Sequence, residues 1–209
     1  MNMFTTDSDK LILVNLNDGK VLFEQDANEQ TAVASLTKIM TAILTLENGD
    51  LNEVVVITPE MLEGLEEFAV AGLMVGQTPT VEELIYLTLL PSDGDAAQAL
   101  AIHNSGSIEK FADLMNKKAS ELGMNNTHFS NPVGLDTDNY STARDIATLL
   151  SYAIRNSEFK NIFETYFYYS PTLGKTVEKT IDKNDVILGA KTGFTYSAGR
   201  CFVRNGNLF

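Results

Sequence analysis

Three short patterns in this chain could carry chemistry. Ser35-Leu36-Thr37-Lys38 sets a hydroxyl and an amine three residues apart. Residues at that spacing share a helix face, so Ser35 reads as a nucleophile with Lys38 as its base. Ser92-Asp93-Gly94 and Lys191-Thr192-Gly193 follow downstream in that order. The spacing of Ser35 and Lys38 alone is not diagnostic, because Ser107 and Lys110, and Ser157 and Lys160, repeat it. An N-capping serine followed by a solvated lysine gives the same letters. What sets Ser35 apart is its continuation. Leu36, Ile39, Met40, Ile43, Leu44 and Leu46 recur at helical spacing as far as Gly49, which places the hydroxyl in the first turn of a helix with an apolar face. Ser107 reads instead as the cap of a helix over 107–122.

Longer runs accompany the three patterns. Ala34 to Ala42 surrounds the first, and Leu90-Pro91-Ser92 with Asp95-Ala96-Ala97 surrounds the second. Gly189-Ala190-Lys191-Thr192-Gly193-Phe194-Thr195, with Ala198-Gly199, contains the third. Between them lie Gly123-Met124, Thr127-His128-Phe129, Asn131-Pro132, Gly134-Leu135-Asp136 and Tyr140-Ser141-Thr142-Ala143-Arg144-Asp145. A Ser-x-x-Lys, a triplet like Ser-Asp-Asn and a Lys-Thr-Gly form a known set. With these runs the sequence resembles the penicillin-binding proteins, specifically the low-molecular-mass serine-type D-alanyl-D-alanine carboxypeptidases, from residue 10 to about residue 203.

The resemblance implies an α+β fold of the β-lactamase/transpeptidase type: one domain over 1–209, with sheet parts at 10–25 and 185–209 around a helical region at 35–165. It implies cleavage of peptidoglycan stem peptides ending in D-Ala-D-Ala through an acyl-enzyme on Ser35, acylation by β-lactams, and a place in the cell envelope. Lys38 would take the Ser35 proton, which requires a neutral amine. Burial and the nearby charge of Lys191 would both lower its pKa. Ser92 would relay a proton to the departing amine. The backbone N–H groups of Ser35 and Phe194 would hold the oxyanion, helped by the positive end of the Ser35 helix, while Lys191 and Thr192, with Gly193 beside them, would hold the terminal carboxylate. One residue departs from the pattern: the family's Asn two residues after the Ser is Gly94 here, so its side-chain amide is absent and turnover is in question.

The elements that must position these groups read as follows. Residues 10–16 and 21–24 form a hairpin about the Asn17-Asp18-Gly19-Lys20 turn. Residues 53–58 read as a short strand. Thr80 and Glu83 make a capping box for a helix that delivers Ser92 at its end, and 95–103 is a second, Ala-rich helix. Thr142 caps another. Residues 165–170, 185–191 and 200–203 read as strands. In the family a further strand lies between the one at 200–203 and the hairpin. Residues up to Phe209 do not supply it, so open sheet edges and self-association through them are expected.

Composition excludes several classes. With 209 residues, a net charge of -13 and 44% hydrophobic content, the chain can bury a core but suits neither nucleic acid nor anionic lipid. Its one cysteine, Cys201, reads as a small hydrophobe in a strand. No run of about eighteen apolar residues exists, and residues 1–10 lack a basic and then apolar signal pattern, which fits a mature chain, a fragment or a cytosolic protein. His103 and His128 lack paired ligand spacing, so neither metal nor cofactor is expected. No Gly-x-Ser-x-Gly elbow is present. Gly19-Lys20 and Gly174-Lys175-Thr176 fail as phosphate loops, because Val14 and Tyr169 occupy the upstream glycine position. The pairs Glu66-Glu67 and Glu82-Glu83 read as solvated faces.

Two other readings are compatible with the patterns. A class A β-lactamase needs a Glu-x-x-Leu-Asn loop to activate its deacylating water. The nearest run, 121–125, has Met124 at the Leu position. A penicillin-binding fold that binds without turnover would explain Gly94.

Overall fold

Two helices that are buried along most of their length organise the chain. In the computed structural model, which describes residues 8–65, 69–135, 137–183 and 185–206, these are α1 (Lys38–Asn48) and α3 (Gly94–Ser105). Every residue of α1 from Lys38 to Thr45 is buried, as is every residue of α3 from Gly94 to Ile102. The small side chains Ala96, Ala97, Ala99 and Ala101 let neighbouring backbones close on α3 from several sides. Around this pair pack α2 (Val81–Leu89), α4 (Ile108–Glu121), α5 (Ala143–Ala153) and α6 (Ser157–Glu164). Ile39, Ile43, Leu84, Leu100, Phe111, Met115, Phe129, Leu149 and Phe159 share one apolar cluster.

The helix starts are set by side chains. Thr80, Ser107 and Thr142 accept from the N–H three residues on, and Asn156 accepts from Glu158 and Phe159. Each such cap stabilises its helix by about 1 kcal/mol. Ser107 is thereby a cap, as expected, and Ser157 is an exposed first-turn residue of α6. Helix α6 has no counterpart among the elements expected from the sequence.

The capping box at α2 is one-sided, and its Glu83 corrects the solvated reading of Glu82-Glu83. Glu82 is exposed, but Glu83 is buried. Its carboxylate accepts from the Ser170 hydroxyl, from the Thr172 N–H at 3.0 Å and from the Thr172 hydroxyl at 2.8 Å. It pins the turn between β5 (Phe167–Ser170) and β6 (Lys175–Glu178) onto α2. Glu66-Glu67 lies outside the described residues.

Strand pairing among the described residues forms four two-stranded antiparallel ladders. The hairpin of β1 (Leu11–Val14) and β2 (Val21–Gln25) turns through Gly19 at φ +72°. Two-residue strands β3 (Thr31–Ala32) and β4 (Tyr140–Ser141) pair across the chain. β5 pairs with β6, and β7 (Ile187–Thr195) pairs with β8 (Gly199–Gly206). The hairpin and the β7–β8 pair therefore stand as separate ladders rather than as parts of one sheet, and α5 packs against both β1 and β8. Residues 53–58 do not form a strand. Val54 makes a single bridge to Thr80, and Val55 and Ile57 donate to the carbonyls of Pro79 and Gln77.

Candidate active site

Ser35 sits in a one-turn 3-10 helix, Ala34–Thr37, that leads into α1. Ala34 enters it with φ +48°, a left-handed conformation that costs a non-glycine residue about 1–3 kcal/mol. Two glycines hold that turn. A Cβ on Gly134 would lie 1.9 Å from the Ala34 carbonyl oxygen, and one on Gly193 would lie 3.0 Å from the Ser35 nitrogen. Gly193 thus lets β7 lie directly against the nucleophile's backbone. The role of Gly134 is not legible from spacing, since it depends on a contact between loops about a hundred residues apart in sequence.

Lys38 is the first residue of α1 and has no exposed surface. Its Nζ donates to Ser35 Oγ at 3.0 Å and to the Val133 carbonyl at 2.9 Å. The loop that presents Val133 is built on two asparagines. Asn131 Oδ1 accepts from the N–H groups of Val133, Gly134 and Leu135 at 3.2, 2.9 and 3.3 Å. Asn139 Oδ1 accepts from the Ser130 N–H at 2.9 Å, and its Nδ2 donates to Thr37 Oγ1 at 3.2 Å. The loop is thereby tied to the nucleophile's own turn. Burial pushes Lys38 down to about 7, against the pull of Asp93 and Asp95, which favour its charged form. Burial acts on Lys38 as expected, whereas the repulsion between Lys38 and Lys191 falls on Lys191, which it lowers.

Ser92 follows α2 with φ +72°, a second strained residue at the site. Its Oγ accepts from Lys191 Nζ at 2.7 Å, and that amine also donates to the Thr192 carbonyl at 2.7 Å. Lys191 is buried, and burial first, then the charges of Lys38 and Lys179, holds it far below the usual lysine range. Asp93 is pushed up to about 7 by burial and by Asp95, against the opposing effect of Lys38, Lys175 and Lys191. The Asp95 carboxylate accepts from the N–H groups of Ala71, Gly72, Leu73 and Ala96 at 2.9 to 3.0 Å. Asp95 thereby fastens the preceding loop to the start of α3, beside Ser92.

The structure therefore brings Ser35 to Lys38, Ser92 to Lys191 and Gly193 to Ser35. Thr192, part-exposed, shares a hydrogen bond between hydroxyls with Thr180 at 2.7 Å. Phe194 pairs with Arg200 across β7–β8, and its side chain is 59% exposed. Gly94 is the first residue of α3, and its N–H donates to the Ala69 carbonyl at 2.8 Å. It contributes no side-chain donor. His128 is exposed and bridges Tyr140, with no hydrogen bond to these groups among the described residues, and Cys201 is part-buried on β8.

The comparisons with known proteins agree on one group. The family model described as peptidase S11, D-alanyl-D-alanine carboxypeptidase, matches residues 2–207. A D-alanyl-D-alanine carboxypeptidase of Bacillus subtilis (strain 168) is 34% identical over 94% of this chain and 54% of its own length. One of Streptomyces sp. (strain K15) is 34% identical over 91% of this chain and 73% of its own. The chain thus spans about half the length of the Bacillus relative. Among solved structures, a D-alanyl-D-alanine carboxypeptidase of Mycobacterium tuberculosis superposes with a TM-score of 0.89 at 30% identity, covering 96% of this chain and 78% of that one. The Streptomyces K15 DD-transpeptidase superposes with a TM-score of 0.86 at 30% identity, covering 94% and 84%.

Proposed function

Because this chain belongs to the D-alanyl-D-alanine carboxypeptidase family of serine peptidases, we propose that it cleaves stem peptides of peptidoglycan ending in D-Ala-D-Ala through an acyl-enzyme on Ser35. Its substrate would place it in the cell envelope. The observation that carries this reading is the buried Lys38 amine, 3.0 Å from Ser35 Oγ and brought by burial to about 7.

Neutral Lys38 accepts the Ser35 proton as Oγ attacks the carbonyl carbon of the penultimate D-Ala. The carbonyl electrons move onto oxygen, where the N–H groups of Ser35 and Phe194 stabilise the oxyanion. Collapse breaks the peptide bond. Ser92, oriented by Lys191, relays to the departing nitrogen the proton that Lys38 took from Ser35, so Lys38 is neutral again and Ser92 keeps its hydroxyl. D-Ala leaves with its carboxylate released from Lys191 and Thr192. Water then hydrolyses the ester on Ser35 by the reverse proton route. A β-lactam amide would be attacked in the same way, but its leaving nitrogen stays tethered, so the adduct persists. The β-lactamase reading lacks its Glu-x-x-Leu-Asn loop and is not favoured.

Gly94 favours a second reading, a site that acylates but turns over slowly. One missing donor at a catalytic site costs on the order of a hundredfold in rate. Gly94 has helical backbone, so asparagine there requires no left-handed conformation. Release of D-Ala from a peptide ending in D-Ala-D-Ala is the direct assay. Wild type should release it, and Gly94→Asn should raise the rate by about tenfold or more. No release from a folded wild type argues against the peptidase reading. An unchanged rate in the variant means that another group already supplies the donor.

A further inference from the structure

Lys179 is a buried lysine that the chemistry above does not use; burial brings it down to about 8, so it keeps its proton at neutral pH. It follows β6, and its Nζ donates to the Ala190 carbonyl at 3.3 Å. The same nitrogen lies 5.3 Å from the ring centre of Phe163 and 5.8 Å from that of Tyr166. Among the described residues no carboxylate forms an ion pair with it. A buried charge without a counter-ion is expensive, and two aromatic faces with one carbonyl offset only part of that cost. The next residue, Thr180, is exposed and bonds the Thr192 hydroxyl at 2.7 Å. Two consecutive residues thus grip β7 on either side of Lys191, one at Ala190 and one at Thr192.

We propose that Lys179 and Thr180 are positioning residues for recognition of the substrate's terminal carboxylate: Lys179 sets a buried positive charge and a strand clamp behind Lys191, and Thr180 orients the Thr192 hydroxyl. This deepens the reading above and rests on Lys191 and Thr192 holding that carboxylate. The effect comes from a difference between the empty and filled site. Lys179 lies close enough to Lys191 that its charge disfavours a second ammonium there. An arriving carboxylate relieves that repulsion and interacts with both cations in a low-dielectric site. A neutral substrate gains nothing from the arrangement, so the pair selects for a free C-terminal anion.

The test compares an anion with its neutral twin. Second-order acylation rates would be measured by intact-mass spectrometry for benzylpenicillin and for its methyl ester. The proteins are wild type, Lys179→Met and Thr180→Val. Lys179→Met should lower the rate with benzylpenicillin by about tenfold and with the ester by less than about twofold, because only the anion senses the lost charge. Its melting temperature should stay level or rise, since a buried unpaired charge is gone. Thr180→Val, at an exposed position, should lower the benzylpenicillin rate by about threefold and leave the ester unchanged. Equal losses with acid and ester, or no loss with either, would overturn the proposal while leaving Ser35 chemistry intact. A folded wild type that neither compound acylates would instead overturn the parent reading together with this one.

Discussion

Lys38→Met lowers the rate of Ser35 acylation by benzylpenicillin by about a thousandfold, within the usual range for loss of a positioned general base. Methionine matches the length of the lysine stem, so α1 and the core around it should persist. Wild type should also show a pH dependence with a definite sign. Below about 7 Lys38 carries its proton and cannot accept one from Ser35; above about 7 it is neutral and can. Acylation therefore rises as pH rises through that value. In Lys38→Met the remaining slow reaction loses the inflection. Stopped-flow or quenched acylation from about pH 5 to about pH 9 measures both effects. A variant within about tenfold of wild type would assign the base to another group, with Asp93, itself brought to about 7, next to be tested.

Gly134→Ala disrupts the site from the loop side. The new Cβ would sit 1.9 Å from the Ala34 carbonyl oxygen, a backbone atom that cannot swing aside, and the residue would also hold φ +86°. Left-handed backbone costs alanine about 1–2 kcal/mol, and forced overpacking adds about 1–3 kcal/mol. Gly123→Ala is the matched control, because Gly123 has φ +74° but nothing within 4 Å of its Cβ. Urea unfolding should show Gly134→Ala less stable than Gly123→Ala by the overpacking cost. Gly134→Ala alone should lose acylation, since the displaced loop carries the Val133 carbonyl that holds Lys38. Equal stability of the two variants would remove the role assigned to this contact.

How far the site is legible in the sequence depends on how local each part is. Ser35 and Lys38 are three residues apart, so helical geometry joins them without tertiary information, and the three Ser-x-x-Lys matches separate by what surrounds them. Ser107 lies before a helix as its cap, Ser157 lies in an exposed first turn, and Ser35 opens a buried helix. The pairing of Ser92 with Lys191 is legible only through the family resemblance, because ninety-nine positions separate them. What the patterns hide is tertiary. Glu83 reads as a surface residue of a charged pair, yet three donors from a distant turn bury it. Nothing in the spacing of Asn131 and Asn139 marks a role, yet they hold the loop that presents the Lys38 acceptor. Lys179 reads as one more lysine among the chain's 15 basic residues, and only the packed rings of Phe163 and Tyr166 mark it. The hairpin and the β7–β8 pair are legible as strands, but their standing as separate ladders is not, because whether they join depends on segments more than 160 positions apart in sequence.

The proposed reaction depends on covalent chemistry at one hydroxyl, and peptide mapping after treatment with benzylpenicillin tests it most directly. Intact-mass spectrometry should show a single adduct of the penicilloyl mass. Digestion should place it on the peptide containing Ser35, and Ser35→Ala should abolish it. An adduct on Ser107 or Ser157, or none on a sample shown to be folded, would contradict the assignment of Ser35 as the nucleophile.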